Sequence, residues 1–129
     1  MIKVSEKTLT DLEFNQIGKQ LAEACITSNG KDLALNLKPY PSVEASKQSL
    51  FQTQEYKSSA FEEKPVPNHG FDTVDKEIKL LKLENSVLEL LSFRKIFSLA
   101  QTSNIQLRYV HKYQELYPNL YQRSQEVYY

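Results

Sequence analysis

The sequence predicts an all-α protein, a helical array with one long helix of about 30 residues. Three observations carry that expectation. No segment alternates apolar and polar residues with period two, and no internal repeat is visible. Glycine and proline number only 3 and 5 among 129 residues, too few for the many turns of a β-sandwich. The stretch from Ser86 to about Tyr117 contains neither, which allows a rod of ~45 Å.

The elements follow in order. Ser5 to Leu12 reads as a short helix with Ser5 as N-cap and Glu6 in the first turn. Asn15 caps a second helix whose Phe14, Ile17, Leu21, Ala24 and Cys25 share one face. Thr27-Ser28-Asn29-Gly30 is turn chemistry, and a third helix from about Lys31 carries Leu33, Ala34 and Leu37 until Pro39 and Pro41 stop it. Ser42 caps a fourth helix to roughly Phe61. Val43, Leu50 and Phe61 align on it beside Lys47, Gln54 and Lys57, so it must lean on something else.

Glu62 to Phe71, EEKPVPNHGF, is the one loop of any length. Asp72 or Thr73 caps a helix through Val74, Ile78 and Leu81, and Leu83 to Ser86 forms a joint in which Asn85 or Ser86 caps the long helix. The first half of that helix is apolar nearly all round (Val87, Leu88, Leu90, Leu91, Phe93, Ile96, Phe97, Leu99) and is expected to be enclosed by neighbours. Its second half places Ile105, Tyr109, Val110, Tyr113, Leu116 and Tyr117 on one side. Pro118 ends it or opens another helix. The closing QRSQEVYY stops in a segment that could continue, which reads as a fragment of something longer.

One helical domain over 1–129 is expected, with helices over 1–61, a loop over 62–72, and a helix, the long helix and a truncated end over 73–129. Lys plus Arg and Asp plus Glu both count 16, and a neutral chain argues against a dedicated nucleic-acid module while leaving a local basic stripe open. The single cysteine, Cys25, excludes a disulfide framework and a multi-cysteine zinc cage. No run approaches ~18 apolar residues, so no membrane-spanning helix is expected. The opening residues lack the apolar core of a secretory signal, and a cytoplasmic location is the default.

Few constellations point to chemistry. Gly18-Lys19 and Gly30-Lys31 lack both the upstream glycine and the following Ser or Thr of a phosphate-cradling loop. His69 and His111 have no second ligand at metal spacing, so no metal, cofactor or catalytic residue is assigned to this chain. Cys25 belongs to an apolar stripe, and the carboxylate pairs Glu62-Glu63 and Asp72 with Asp75 read as solubility and dipole matching. Two features stand out. Arg94, Gln101, Arg108 and Lys112 fall within a narrow angular band, which makes Arg94, Arg108 and Lys112 candidate nucleic-acid-facing residues, diluted by Glu115. Tyr109, Tyr113, Tyr117 and Tyr121 recur every four residues. Tyr109, Tyr113 and Tyr117 are candidate interface residues, weighed against simple packing on a neighbouring helix.

The amino-terminal third carries a particular order. Thr8-Leu9-Thr10-Asp11-Leu12-Glu13-Phe14 comes first, then Gly30, Lys31, Ala34, Leu35, Leu37 and Pro39, then a Ser42-capped helix. This resembles the start of the MutS family, in its second bacterial branch, which lacks the mismatch-reading domain. LENSVLELLSFRKIF and Tyr117-Pro118-Asn119-Leu120 fit in order more loosely, and EEKPVPNHGFDTVDKEI departs from the family's glycine-rich loop. The resemblance implies the opening of a helical core and lever. Its parent would bind DNA or a ribosome, carry a dimerising ABC-type ATPase using ATP and magnesium, and often end in a nuclease-like domain. The implied work is DNA repair, control of recombination, or ribosome rescue. No residue of those sites falls within this chain. The implied partners are the rest of the parent and, weakly, a second copy, with no membrane. The competing reading is a self-contained helical module that binds a partner protein through its tyrosine side.

Overall fold

The structure, a computed structural model, describes residues 3–127; the closing Tyr128 and Tyr129 lie outside the described residues. Among the described residues all regular structure is helical: α1 (Glu6–Asp11), α2 (Phe14–Ala24), α3 (Ser28–Leu35), α4 (Val43–Ser59), α5 (Asp75–Leu81), α6 (Leu90–Lys112) and α7 (Pro118–Ser124). The all-α expectation holds. The chain divides into two compact units. One comprises Val4–Lys38 and Gly70–Thr102, and the other comprises Pro39–His69 and the chain from Ser103 onward. We call them the alanine unit and the tyrosine unit, after the residues they bury.

In the alanine unit, Ser5 caps α1 by accepting from the Thr8 amide at 3.1 Å, as its residue type dictates. Asn15 does not cap α2. The residue there is Glu13, in the left-handed region at φ 53° and with no side-chain cap bond, and Asn15 lies inside the helix. The face that α2 buries is Gly18 and Ala22 rather than the Ile17 and Leu21 row, which stays about half exposed. The reason is close approach: a Cβ at Gly18 would stand 2.9 Å from the Ala34 carbonyl oxygen. Small residues on both helices permit the α2–α3 crossing, and larger neighbours are pushed to its margins.

Helix α3 starts at Ser28, not at Lys31, because the Thr27 hydroxyl accepts from the Gly30 amide at 3.0 Å and converts the expected turn into a first helical turn. Neither Asp72 nor Thr73 caps α5. Val74 holds that position, buried, while the Thr73 hydroxyl donates to Asn29 Oδ1 at 2.9 Å. The joint at Leu83 to Ser86 is present, but it caps nothing forward. Asn85 takes φ 61°, and the Ser86 hydroxyl donates back to the Leu80 carbonyl at 2.5 Å. Helix α6 therefore begins at Leu90 and runs 23 residues instead of about 30, a length of about 35 Å. Its first half is not enclosed: Leu90, Leu91, Phe93 and Phe97 are 53–68% exposed. Ser92, Ile96 and Leu99 form the half-buried side.

In the tyrosine unit, Ser42 caps α4 by accepting from the Ala45 amide at 3.1 Å, and the helix ends at Ser59. The expected Val43, Leu50 and Phe61 row is exposed. The inward side is polar, with Ser49, Gln52 and Glu55 half-buried and Ser59 at 1% exposure. Tyr117 adopts φ −126° before Pro118, which occupies the first turn of α7, so the proline opens a helix; it does not end the long one, since α6 has already stopped at Lys112. That placement turns the start of α7 toward α4.

Candidate functional site

The tyrosine unit is held by side chains that reach far along the sequence. The Glu55 carboxylate accepts from the Asn119 amide at 3.0 Å, from Asn119 Nδ2 at 2.5 Å and from the Leu120 amide at 2.8 Å. A carboxylate there satisfies amide groups that a helix start cannot pair internally, and its charge complements the positive end of the helix. Gln106 donates through Nε2 to the Pro67 carbonyl at 2.7 Å and to Asn68 at 3.2 Å, and the Tyr109 hydroxyl donates to the Lys64 carbonyl at 3.0 Å. The proline loop is thus fastened at two points to one helix. Composition hid these partners, because Glu55 and Gln106 read as ordinary solvated helix residues. The one available signal was Pro118-Asn119, a helix opening with no acidic residue of its own.

Three of the tyrosines form a cluster. Tyr109 and Tyr113 ring centroids are 4.8 Å apart and tilted by 50°, Tyr109 and Tyr117 are 6.1 Å apart and nearly parallel, and Tyr113 meets Tyr117 edge-on at 6.5 Å. Tyr109 and Tyr117 are buried, while Tyr113 is half-buried and carries Lys112 Nζ at 5.4 Å from its centroid. The Tyr109 hydroxyl is pushed up to about 12, first by burial, then by hydrogen bonding with Tyr117 and by nearby negative charge that includes Glu62. Tyr121 leaves the cluster and meets His111 edge-on at 5.9 Å. Beside the cluster lies a cleft of about 410 Å³. Tyr109, Tyr113 and Tyr117 line it together with Leu116, and Glu62, Glu63 and Lys64 complete its wall.

Arg108 and Lys112 are exposed in the tyrosine unit, and Arg94 is exposed in the alanine unit. Arg108 and His111 border a cleft of about 360 Å³ that Ser124 and Gln125 also line. Within the alanine unit Lys95 pairs at 3.5 Å with Glu77, a carboxylate nearly out of water, and Cys25 Sγ donates to the Leu21 carbonyl at 3.3 Å. Among the described residues no group of three His, Cys, Asp or Glu side chains stands where it could hold a metal. No described helix is long and apolar enough to cross a membrane. Gly18 sits in the α2–α3 crossing and Gly30 in the first turn of α3, so neither Gly-Lys pair occupies a phosphate-cradling loop.

Among the described residues the fold defines an all-helical class of protein. Over 81 residues, 63% of its length, the chain is 32% identical to Endonuclease MutS2 of Lactobacillus johnsonii. The matched stretch is 10% of that protein, so the chain spans about a tenth of the relative it matches. The likeness supports a relationship to the MutS family. No protein-family model matches the chain. No solved structure matches it either.

Proposed function

We propose that the chain is a non-catalytic helical core and lever element from the amino-terminal region of a MutS-like protein of the second bacterial branch. The observation that carries this reading is the 32% identity over 81 residues to Endonuclease MutS2. Its function is mechanical: helices such as the 23-residue α6 transmit movement between an ATPase and a clamp on DNA or a ribosome. ATP and magnesium chemistry, and any nuclease, belong to parts of the parent outside these residues. The parent is cytoplasmic and serves DNA repair, control of recombination or ribosome rescue.

An antibody raised against Val43–Ser59 tests the reading directly. Cells expressing the gene should contain a reactive polypeptide far heavier than 15.0 kDa, and a native species of 15.0 kDa would overturn the proposal. The purified chain should show no ATP turnover, whereas turnover lost on changing Lys19 or Lys31 would place nucleotide chemistry here. If Arg108 and Lys112 meet a phosphate backbone, DNA affinity should fall with salt at a log–log slope of about −2. Replacing both by Ala should flatten that slope. No retention of DNA at low salt would assign nucleic-acid contact to other parts of the parent.

A further inference from the structure

The first turn of α3 holds the chain's single Asn-Gly pair, Asn29-Gly30, a dipeptide with its own covalent chemistry. We propose that Asn29 is a modification site, a succinimide-forming asparagine that the Thr27 cap and the Thr73 hydroxyl hold in an unreactive geometry. The inference goes beyond the core and lever reading and does not depend on it.

The reaction needs only water. The Gly30 backbone nitrogen attacks the Asn29 side-chain carbon Cγ and gives up its proton to solvent, and ammonia leaves as the five-membered imide closes. Water then opens the ring at one of its two carbonyls. Attack at Cγ yields aspartate. Attack at the backbone carbonyl yields isoaspartate, in which the main chain runs through the side-chain carbon. Glycine favours closure because it has no Cβ to crowd the attacking nitrogen and leaves the backbone free to turn. Every other asparagine of the chain is followed by a residue with a side chain.

The structure engages both reacting groups. The Gly30 amide donates to the Thr27 hydroxyl at 3.0 Å, which aims the nucleophilic nitrogen at the cap. Asn29 Oδ1 accepts from the Thr73 hydroxyl at 2.9 Å, which ties the side-chain amide to a residue 44 positions along the chain in the same unit. Asn29 and Gly30 are half-buried and helical. A helical ψ of about −42° keeps the Gly30 nitrogen out of line with Cγ, so closure requires the turn to open. The product changes the unit. An imide nitrogen carries no proton, so closure removes the Thr27 cap bond. Isoaspartate adds a backbone carbon upstream of Ala34, whose carbonyl oxygen lies 2.9 Å from where a Cβ on Gly18 would stand. A crossing that close has little room for a lengthened chain.

The test is incubation of the purified chain in mildly alkaline buffer, with and without urea. Mass gain and labelling by an isoaspartate-specific carboxyl methyltransferase read the reaction, and peptide mapping assigns it to position 29. Modification should be many-fold faster in denaturing urea than in buffer, and Asn29→Gln should abolish it in both. Thr27→Val and Thr73→Val should each modify about fivefold faster than the parent in buffer, as expected for loss of one cap-strength contact, and at the parent's rate in urea. Thr27→Ser, which keeps the acceptor, should stay as slow as the parent. A readout that needs no variant is sub-denaturing urea, which should speed modification of Asn29 in step with hydrogen exchange of the Gly30 amide. Modification in buffer at the urea rate, threonine variants no faster than the parent, or modification that does not follow Gly30 exchange would overturn the proposal.

Discussion

The two units solve the same problem differently. The tyrosine unit buries Tyr109 and Tyr117 and ties distant segments together with side-chain hydrogen bonds, chiefly from Glu55, Gln106 and Tyr109. The alanine unit buries Ala22, Ala34 and Val74 and brings α2 against α3 at Gly18, leaving Ile17, Leu21, Leu90 and Phe97 about half exposed or more. In the first, specificity lies in polar geometry around large rings. In the second, it lies in the absence of side-chain bulk. The comparison teaches that apolar content does not rank the units by how well they are held. The apolar first half of α6 is the more exposed half, and the nearly polar α4 is firmly anchored.

The largest expected effect tests the close approach. Gly18→Val puts branched carbon atoms where a single Cβ would already lie 2.9 Å from the Ala34 carbonyl oxygen. Overpacking against backbone should destabilise the chain by about 3 kcal/mol, measured by urea denaturation. Hydrogen exchange should report lost protection in α2 and α3 ahead of α4 and α7. Protection lost equally everywhere would break the distinction between the units.

Alkaline titration tests the ring cluster. Burial raises the Tyr109 hydroxyl from the ordinary tyrosine value of about 10 to about 12, so the folded state holds its proton more tightly than the unfolded chain. That contribution is complete below pH 10 and is lost as pH rises toward 12. Ultraviolet titration should show a late tyrosinate step, and Tyr109→Phe should abolish it. A further step down is the cap: Glu55→Ala strands the Asn119 and Leu120 amides and should cost about 2 kcal/mol, read by thermal melting.

The smallest effect sharpens the comparison most. A buried phenylalanine cut back to alanine usually costs about 3–5 kcal/mol. Phe97 is 53% exposed, so Phe97→Ser should change stability by no more than about 0.5 kcal/mol. The same substitution should lower the average mass seen by sedimentation at high micromolar concentration, if this face pairs weakly with a second copy.

Much of the helical order was legible. Ser5 and Ser42 are caps because a serine hydroxyl accepts an amide three residues on, an event local to one turn of chain. Proline at 118 was equally readable as a helix start. The errors cluster where a side chain chose a distant partner over a local one. Thr73 was available to cap α5 and instead pairs with Asn29, and Ser86 was available to cap α6 and instead turns back to Leu80. Of the tyrosine site, the four-residue spacing was visible, but the carboxylates at its wall were not, since nothing in local pattern brings Glu62 to Tyr109.

The sequence by itself determined the helical class, the serine caps, the proline boundaries and the tyrosine row, because each depends on residues within a turn or two of one another. Only the tertiary structure decided which faces are covered. A helix rotates its buried side toward whatever approaches it, so Gly18 rather than Ile17 faces α3, and polar Glu55 rather than Leu50 faces α7. Hydrophobicity sets how much burial is worth. Complementary shape and an unpaired amide at the end of another helix set where burial happens, and both belong to residues far away in the chain.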